Sequence, residues 1–296
     1  MNYYEEIKNK IIDNEIYCKV KDYSKERNTV TTYFEIGRLL TEAGGKYDDN
    51  IIEEYSKKLI VEVGKKYNIK TLYKMKQLYK VFSDEKVAPV VRQLSWSNCL
   101  QLLPIKNYDK INYYANQCIK YNLSKRQLEE KIKLKEYERL SESAKTKLIA
   151  NEEPLLSDLV KNPILIKKTN KYTEISEKVL QQIILENIES FMEELGSGFS
   201  YIAKEYPIKI GNNYNYIDLL LYNIEFNCYV VIELKVTKLK KEHIGQIEFY
   251  MNYIDRYIKK PNQDKTIGII ICKKDNEYII EYCSDKKIIS REFELV

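Results

Sequence analysis

The sequence predicts an α/β (α+β) fold in which a helical N-terminal domain precedes a C-terminal core built around a β-sheet. Residues 1–140 carry apolar side chains at helical spacing and no long run with the alternation typical of a strand. From residue 172 onward, helical segments mix with continuous apolar runs, which are typical of strands covered on both faces. The polar stretch 141–171 is interpreted as a linker with one short helix near Leu155–Val160. The predicted domains are therefore 1–140 and 172–296.

Helix signals recur throughout the N-terminal domain. The stretch YFEIGRLLTEAGG, which begins at Tyr33, has apolar residues at helical spacing and a predicted end at Gly44–Gly45. Ser95 is expected to cap a short helix, and Ser124 with Gln127 has the pattern of a capping box. Several short, basic helices favour a helix-turn-helix-like bundle that binds DNA. A scaffold or assembly domain fits the same pattern equally well.

The C-terminal domain opens with a predicted long helix over residues 173–195. The apolar runs FSYIAKEYPIKI, NYIDLLLYN, CYVVIELKV, TIGIIICK and EYIIEYC follow, and a helix is predicted at KEHIGQIEFYMNYIDRYI. Asn and Glu-Phe-Asn clusters stand between the runs where turns are needed.

Composition narrows the possible chemistry. The net charge of +5 is a mild excess, which permits nucleic-acid binding without indicating it. His243 is the single histidine, so a His-rich metal site is excluded, and no GxSxG nucleophile motif is present. Any metal is expected to be held by carboxylates and carbonyls, which favours Mg²⁺ or Mn²⁺.

The expected location is the cytoplasm. The six cysteines form no CxxC pair, which is typical of reduced thiols in a cytoplasmic protein. The sequence contains no secretory apolar segment and no apolar run of about 18 residues, so no membrane association is expected.

Two predicted strands each carry one carboxylate at a position that otherwise reads as buried. Asp218 lies in NYIDLLLYN and Glu233 lies in CYVVIELKV. Adjacent strands joined by a short turn can bring these side chains together, where they would repel each other unless a cation is present. A divalent metal supplies that cation, and the backbone carbonyl of Leu234 could complete its oxygen ligands. Lys235 follows Glu233 by two residues and so projects from the same face of the strand.

This arrangement suits hydrolysis of a phosphodiester. The metal would bind a phosphate oxygen and lower the pKa of a water molecule, while Lys235 would position that water or neutralise developing charge. Gln246, on the following helix, could contact the phosphate or the water. Tyr250 lies one turn further on the same face and is a candidate contact to the nucleic acid. The alternatives are an Asp218 satisfied by a backbone amide and a plain Glu233–Lys235 salt bridge.

A basic cluster follows the second strand. Lys238, Lys240 and Lys241 could neutralise backbone phosphates of a nucleic acid, although a solvated run of charge explains the same residues. His243 is expected to be a surface polar residue and is left out of the site.

At these positions the sequence resembles the PD-(D/E)XK nuclease superfamily. Asp218 stands in the PD position, with Ile217 in place of the proline, and Glu233, Leu234 and Lys235 form the (D/E)XK element. Gln246 matches the glutamine that follows this motif. The closer resemblance is to the YhcG family. Its C-terminal nuclease domain is similar to the segments FMEELGSGFSYIAKEYPIKI, CYVVIELKV and GQIEFYMNYID. Its helical N-terminal domain is similar to the segments YFEIGRLL and QLSWSNCLQLL.

The resemblance implies a restriction-endonuclease-like mixed sheet flanked by helices and a Mg²⁺-dependent nuclease acting on DNA. It further implies DNA binding or assembly by the N-terminal domain, and a role in DNA processing or defence against foreign DNA. A homodimer would place two sites on two strands. The alternative is a non-catalytic DNA-binding or assembly protein on a nuclease fold.

Two positions depart from the family pattern. Gln181 stands where members often have a glutamate on the first core helix, and Glu177, one turn earlier, could replace it as a metal ligand. Asn98 stands where the family usually has a histidine, so no role of that histidine carries over.

Overall fold

The computed structural model describes residues 2–19, 25–47, 50–83, 88–150, 152–168, 172–283 and 287–296. The chain divides into two compact units, Met1–Tyr137 and Glu138–Val296. None of the helices within the described residues is both long enough and apolar enough to cross a lipid bilayer.

The N-terminal unit is helical over its described residues, as predicted. It contains α1 (Tyr3–Lys19), α2 (Lys25–Tyr47), α3 (Asn50–Glu62), a 3₁₀ turn (Lys65–Tyr67), α4 (Ile69–Phe82), α5 (Ala88–Val91), α6 (Trp96–Leu102), α7 (Tyr108–Tyr121) and α8 (Lys125–Lys133). The predicted end at Gly44–Gly45 is wrong, because α2 continues to Tyr47. Buried Leu39, Leu40 and Ala43 hold this part of α2 in the core, and packing of this kind outweighs the low helix propensity of glycine.

The predicted caps are present in the N-terminal unit. Ser95 Oγ accepts a hydrogen bond from the Asn98 N–H at 3.2 Å at the start of α6. The Gln127 side chain accepts from the Ser124 N–H at 2.9 Å, which completes the capping box of α8. Asn98 is buried, and its side-chain amide donates to the Leu123 carbonyl at 2.9 Å, so this residue joins the first turn of α6 to the segment that leads into α8.

The C-terminal unit contains a mixed sheet with helices on both faces. Its elements are α9 (Glu142–Ile149), α10 (Leu156–Leu159), β1 (Ile164–Ile166), α11 (Glu177–Glu186), α12 (Ile188–Leu195), β2 (Phe199–Ile210), β3 (Asn213–Asn223), β4 (Cys228–Lys238), α13 (Lys241–Tyr257), β5 (Asp264–Lys274), α14 (Glu277–Cys283) and β6 (Ile288–Leu295). The strand order is β1-β6-β5-β4-β3-β2. The pairs β2–β3 and β3–β4 are antiparallel, whereas β4–β5, β5–β6 and β1–β6 are parallel.

The predicted linker at 141–171 instead belongs to the C-terminal unit over its described residues. A short helix does occur at Leu156–Leu159, but the same stretch also forms α9 and β1. Strand β1 pairs in parallel with β6, with Ile164 opposite Phe293, so the first edge strand of the sheet comes from this segment. Three residues are too few to show strand alternation, which is why the sequence pattern missed them.

Two other local predictions are wrong. The long helix predicted over 173–195 is divided into α11 and α12 at Asn187, whose φ of −132° and ψ of 41° are not helical. The run EYIIEYC forms helix α14 rather than a strand. The run EYIIEYC is short enough for its apolar residues to fit either periodicity, whereas the helical spacing of apolar residues in 173–195 continues across Asn187 and does not reveal the break.

The sheet is buried on both faces, as its continuous apolar runs predicted. Leu180 and Ile184 of α11 pack with Ile232 on one face. Ile247 of α13 packs with Val231 and Ile270 on the other. Gly268 of β5 permits close contact with α13, because a Cβ there would lie 2.6 Å from Met251 Sδ and 2.9 Å from Ile247 Cδ1.

A buried ionic cluster fixes the start of the C-terminal unit to α12. Glu194 is 7% exposed and forms ion pairs with Arg139 and, at 3.4 Å, with Lys161. The Glu194 carboxylate also accepts from the Leu165 N–H at 3.0 Å. Arg139 in turn donates to the Pro163 carbonyl at 2.8 Å. One carboxylate therefore holds the segment that contains β1 against the core.

We predict that Glu194→Ala lowers the free energy of unfolding by about 3–5 kcal/mol, because two buried cations would be left without their shared anion. Urea unfolding monitored by circular dichroism measures this change. Glu193→Ala is the matched control: its side chain is exposed on the same helix, so a change within about 0.5 kcal/mol is expected. Equal stability of the two variants would contradict a structural role for the cluster.

Candidate active site

Asp218 lies where strands β3 and β4 separate. The two strands pair from Asn223–Cys228 to Leu219–Ile232, and the pairing stops there, one residue before Asp218 is reached. The Leu234 N–H donates to Asp218 Oδ2 at 2.8 Å across this opening. The Asp218 carboxylate is therefore held beside the β4 backbone by one directional hydrogen bond.

Glu233 and Lys235 project from β4 into the same place. Lys235 Nζ lies 2.7 Å from Glu233 Oε1, and both side chains are largely buried, with 11% and 2% exposure. Glu233 Oε2 is also buried and has no hydrogen-bond partner within the described part of the chain. Because a buried carboxylate oxygen without a partner is costly, this atom marks a position where a further group would bind.

Burial and mutual repulsion shift the protonation of both carboxylates. Burial, followed by the charge of Asp218, raises the pKa of Glu233 to about 7 against the lowering effect of Lys235. Burial also raises the pKa of Asp218, and the Leu234 N–H and Lys235 partly offset this effect. For Lys235, burial acts to lower the pKa, but the hydrogen bond to Glu233 and the nearby carboxylates raise it overall. Lys235 is therefore cationic at neutral pH.

Helix α11 supplies two side chains at the same place. Gln181 is buried, and its amide donates to the Asp218 backbone carbonyl at 2.9 Å. Glu177, one turn earlier, lies with Oε2 at 3.6 Å from Lys235 Nζ and is 45% exposed. The expectation that these two residues face the same region agrees with this geometry, and Gln181 occupies the inner position as a neutral donor.

Helix α13 faces the site from the other side. The Gln246 side chain donates to the Tyr250 hydroxyl at 3.1 Å. Burial raises the pKa of Tyr250, and the negative charges of Glu233 and Asp218 raise it further. The hydrogen bond from Gln246 acts in the opposite direction and lowers this pKa. Tyr250 is only 5% exposed, so its position does not favour the direct nucleic-acid contact that the sequence predicted.

The basic cluster lies at the end of β4 and the start of α13. Lys238, Lys240 and Lys241 are exposed, and Lys240 Nζ lies 3.3 Å from a carboxylate oxygen of Glu242. His243 is buried rather than on the surface, and its Nδ1 accepts from the Lys240 N–H at 3.2 Å. The pKa of His243 is lowered by burial and then by the charge of Lys235, so this ring is neutral and helps to shape the turn into α13.

The donors present fit a hard divalent cation. Asp218 and Glu233 supply carboxylate oxygens at one point, and Glu233 Oε2 has an unused acceptor position. Within the described residues, no three His, Cys, Asp or Glu side chains converge as a ready metal cluster. Mg²⁺ is commonly bound by only one or two carboxylates and retains several waters, so this donor set is sufficient for it. The carbonyl of Leu234, on the strand between the two charged residues, stays a predicted ligand.

Sequence reasoning missed one acidic residue near the site. Glu205 of β2 lies opposite Asp218, because Lys204 pairs with Leu219 and Tyr206 with Ile217. Its charge acts on Asp218 in the direction that raises the Asp218 pKa. Cross-strand register brings these two residues together, and no spacing within either strand reveals it.

The fold and the site together define a nuclease domain of the PD-(D/E)XK class. Residues 157–295 match the family model of the YhcG PDDEXK nuclease domain, and residues 11–139 match that of the DUF1016 N-terminal domain. Through these two domains the chain belongs to the YhcG family of PDDEXK nucleases, as the sequence resemblance predicted.

Among curated proteins, the chain is similar to "Putative nuclease YhcG" of Escherichia coli (strain K12). The two are 25% identical over 283 residues, which cover 81% of this chain and 76% of the relative. Two solved structures are also similar over part of the chain: a repair endonuclease from Pyrococcus abyssi (21% identity, TM-score 0.28) and an EndoMS–dsDNA complex (20% identity, TM-score 0.29). These alignments cover 43% and 44% of this chain and about half of each solved chain, 49% in both cases.

We predict that Glu233→Gln stabilises the metal-free protein at pH 8. A pKa raised to about 7 in the folded state means that folding stability falls as pH rises from about 4.5 through about 7. The amide removes this cost, so the free energy of unfolding is expected to rise by about 1–3 kcal/mol at pH 8 and by less at pH 5.

Urea unfolding in EDTA at pH 5 and pH 8 measures the effect. Glu248→Gln, on an exposed face of α13, is the matched control and should change little at either pH. A Glu233→Gln variant that is less stable than wild type at pH 8 would show that the carboxylate is well compensated without a metal.

Proposed function

We propose that this protein is a metal-dependent nuclease that hydrolyses DNA phosphodiester bonds with Mg²⁺ or Mn²⁺, and that it cleaves as an endonuclease. The observation that carries the proposal is the buried Glu233 carboxylate, which is paired with Lys235 through Oε1 and has no partner at Oε2 among the described residues. A purely structural salt bridge would be expected to satisfy both oxygens. The site lies in the nuclease domain that the family match identifies.

Each residue has a distinct task in this proposal. Asp218 and Glu233 hold the cation, with the Leu234 N–H keeping Asp218 oriented. Bound there, a divalent cation would polarise a phosphate oxygen and lower the pKa of a water molecule. Lys235, cationic and fixed by Glu233, would stabilise the negative charge that builds on the phosphate. Gln246, held by Tyr250, offers an amide that can orient the phosphate or the attacking water.

Glu177 has two candidate tasks. Its exposed carboxylate near Lys235 could hold the cation in place of the acid expected at Gln181, or it could keep Lys235 protonated. The second task needs no movement of α11, since the 3.6 Å approach to Nζ is already present.

The alternative is a non-catalytic DNA-binding or assembly protein on a nuclease fold. That alternative needs no cation, and it would leave one oxygen of the buried Glu233 carboxylate without a partner and its closeness to Asp218 without a purpose. A cleavage assay in which the protein binds DNA and cuts no strand would support this alternative.

We predict that purified protein cuts DNA in Mg²⁺ or Mn²⁺ and that Asp218→Ala and Lys235→Ala each reduce the rate by at least about 100-fold, because each removes charge stabilisation from the reaction. A gel assay on circular, linear, branched and single-stranded DNA, with RNA in parallel, measures this. Cutting of a closed circle distinguishes an endonuclease from an enzyme that needs an end.

Lys265→Ala is the control for Lys235→Ala, because Lys265 is exposed near the start of β5, at the opposite end of the sheet from Lys235. This variant should cut at the wild-type rate. Cleavage that persists in both Asp218→Ala and Lys235→Ala would rule out the proposed site.

We also propose that Lys238, Lys240 and Lys241 contact DNA phosphates. Substitution of all three by alanine is expected to weaken DNA binding at low salt and to reduce the slope of log K against log salt by about 1 for each phosphate that is no longer neutralised. Fluorescence anisotropy in Ca²⁺ or EDTA at several salt concentrations measures both quantities. An unchanged salt slope would show that the cluster is a solvated run of charge.

We further propose a cytoplasmic role in DNA processing or in defence against foreign DNA, as the family resemblance suggests. The N-terminal unit would contribute DNA binding through its predicted helix-turn-helix-like helices, or would mediate assembly into a homo-oligomer. Size-exclusion chromatography with light scattering decides the second possibility directly.

A further inference from the structure

Glu205 has a backbone conformation that is unusual for its residue type. Its φ is +44°, in the left-handed region that residues with a Cβ adopt rarely. It lies within the long strand β2, close to a register shift between Tyr201 and Ala203. Irregularities of this kind are frequent beside active sites, where they redirect a side chain.

The cross-strand position of Glu205 is also unfavourable for folding alone. Flanking pairs place it directly opposite Asp218, and like charges directly opposite each other destabilise a sheet. The Glu205 side chain is exposed and forms no hydrogen bond or ion pair within the part of the chain that the structure describes. Glu205 thus combines a strained backbone with a carboxylate that lies next to another carboxylate and has no compensating partner among these residues. Such an arrangement is expected where a bound cation attracts both carboxylates.

We propose that Glu205 is an outer-sphere carboxylate of the metal site, a positioning residue that accepts hydrogen bonds from the hydration shell of a divalent cation held by Asp218 and Glu233. The proposal rests on the function proposed above. An outer position is consistent with the absence of three converging acidic ligands among the described residues, and with the several waters that Mg²⁺ retains. The buried, unpartnered Oε2 of Glu233 independently marks where the cation binds.

The test is the Mn²⁺ affinity of the full chain without nucleic acid, measured by isothermal titration calorimetry at pH 7.5. Wild type should bind Mn²⁺, and Asp218→Asn should abolish most of this binding. Glu205→Gln should weaken it by about 10-fold or more, the usual effect of removing a group that supports a metal's ligands. Glu248→Gln, an exposed acid on α13, should bind as wild type does.

A second variant separates the metal role from a structural one. Glu205→Gly removes the carboxylate and also relieves the left-handed backbone, because glycine adopts positive φ without steric cost. It should therefore melt at the same or a higher temperature than wild type in EDTA while binding Mn²⁺ about 10-fold more weakly. A structural role would instead lower the melting temperature of Glu205→Gln and leave the Mn²⁺ affinity unchanged.

The outcomes distinguish the two proposals. Wild-type Mn²⁺ affinity in both Glu205 variants, with weakened binding in Asp218→Asn, would overturn the role of Glu205 and leave the proposed function intact. No Mn²⁺ binding by the wild-type protein would overturn both.

Discussion

The buried carboxylate of Glu233 is the constraint on which the rest of the site depends. An ionised carboxylate removed from water is unfavourable unless it is paired and hydrogen-bonded. Here Lys235 contacts one oxygen and the other has no partner among the described residues, while the second carboxylate, Asp218, adds repulsion. A divalent cation would relieve the burial and the repulsion at once. A protein with such a site is therefore expected to be less stable without the metal than the packing of its sheet alone would allow.

The sheet topology creates this constraint. Strand β4 pairs with β3 on one side and β5 on the other, and pairing with β3 stops at Leu219. Asp218 therefore lies at the opening between two strands, where its carboxylate replaces a missing backbone partner for the Leu234 N–H. Helices α11 and α13 cover opposite faces of the sheet, and each contributes an amide near the opening, from Gln181 and Gln246. Packing of the apolar core thus places the strands and helices that carry the site, and hydrogen bonds then orient Asp218, Lys235 and Gln246 within it.

The features that could be predicted from sequence are those with a local signature. Continuous apolar runs predicted β3, β4 and β5, and the charges that interrupt them predicted the site, because charge in a buried strand needs a reason. Strand β1 is too short to show alternation, and α14 carries residues that suit either periodicity. Glu205 was missed for a different reason: its relation to Asp218 depends on the pairing of two strands, which is not a local property, and its left-handed φ is unusual for a glutamate and leaves no signature in the sequence.

The distribution of acidic residues around Lys235 explains how the site can function with a glutamine on its first core helix. An acid in place of Gln181 would be buried beside Asp218 and Glu233, which would add a third desolvated charge. Gln181 instead binds the Asp218 carbonyl as a neutral donor, so it orders β3 without adding repulsion. The additional negative charge comes from Glu177 and Glu205, which are both exposed and therefore less costly to ionise. In the proposed site, most of the negative charge that would attract a cation therefore lies on exposed or half-buried side chains, and Glu233 is the one buried carboxylate among these four acidic residues.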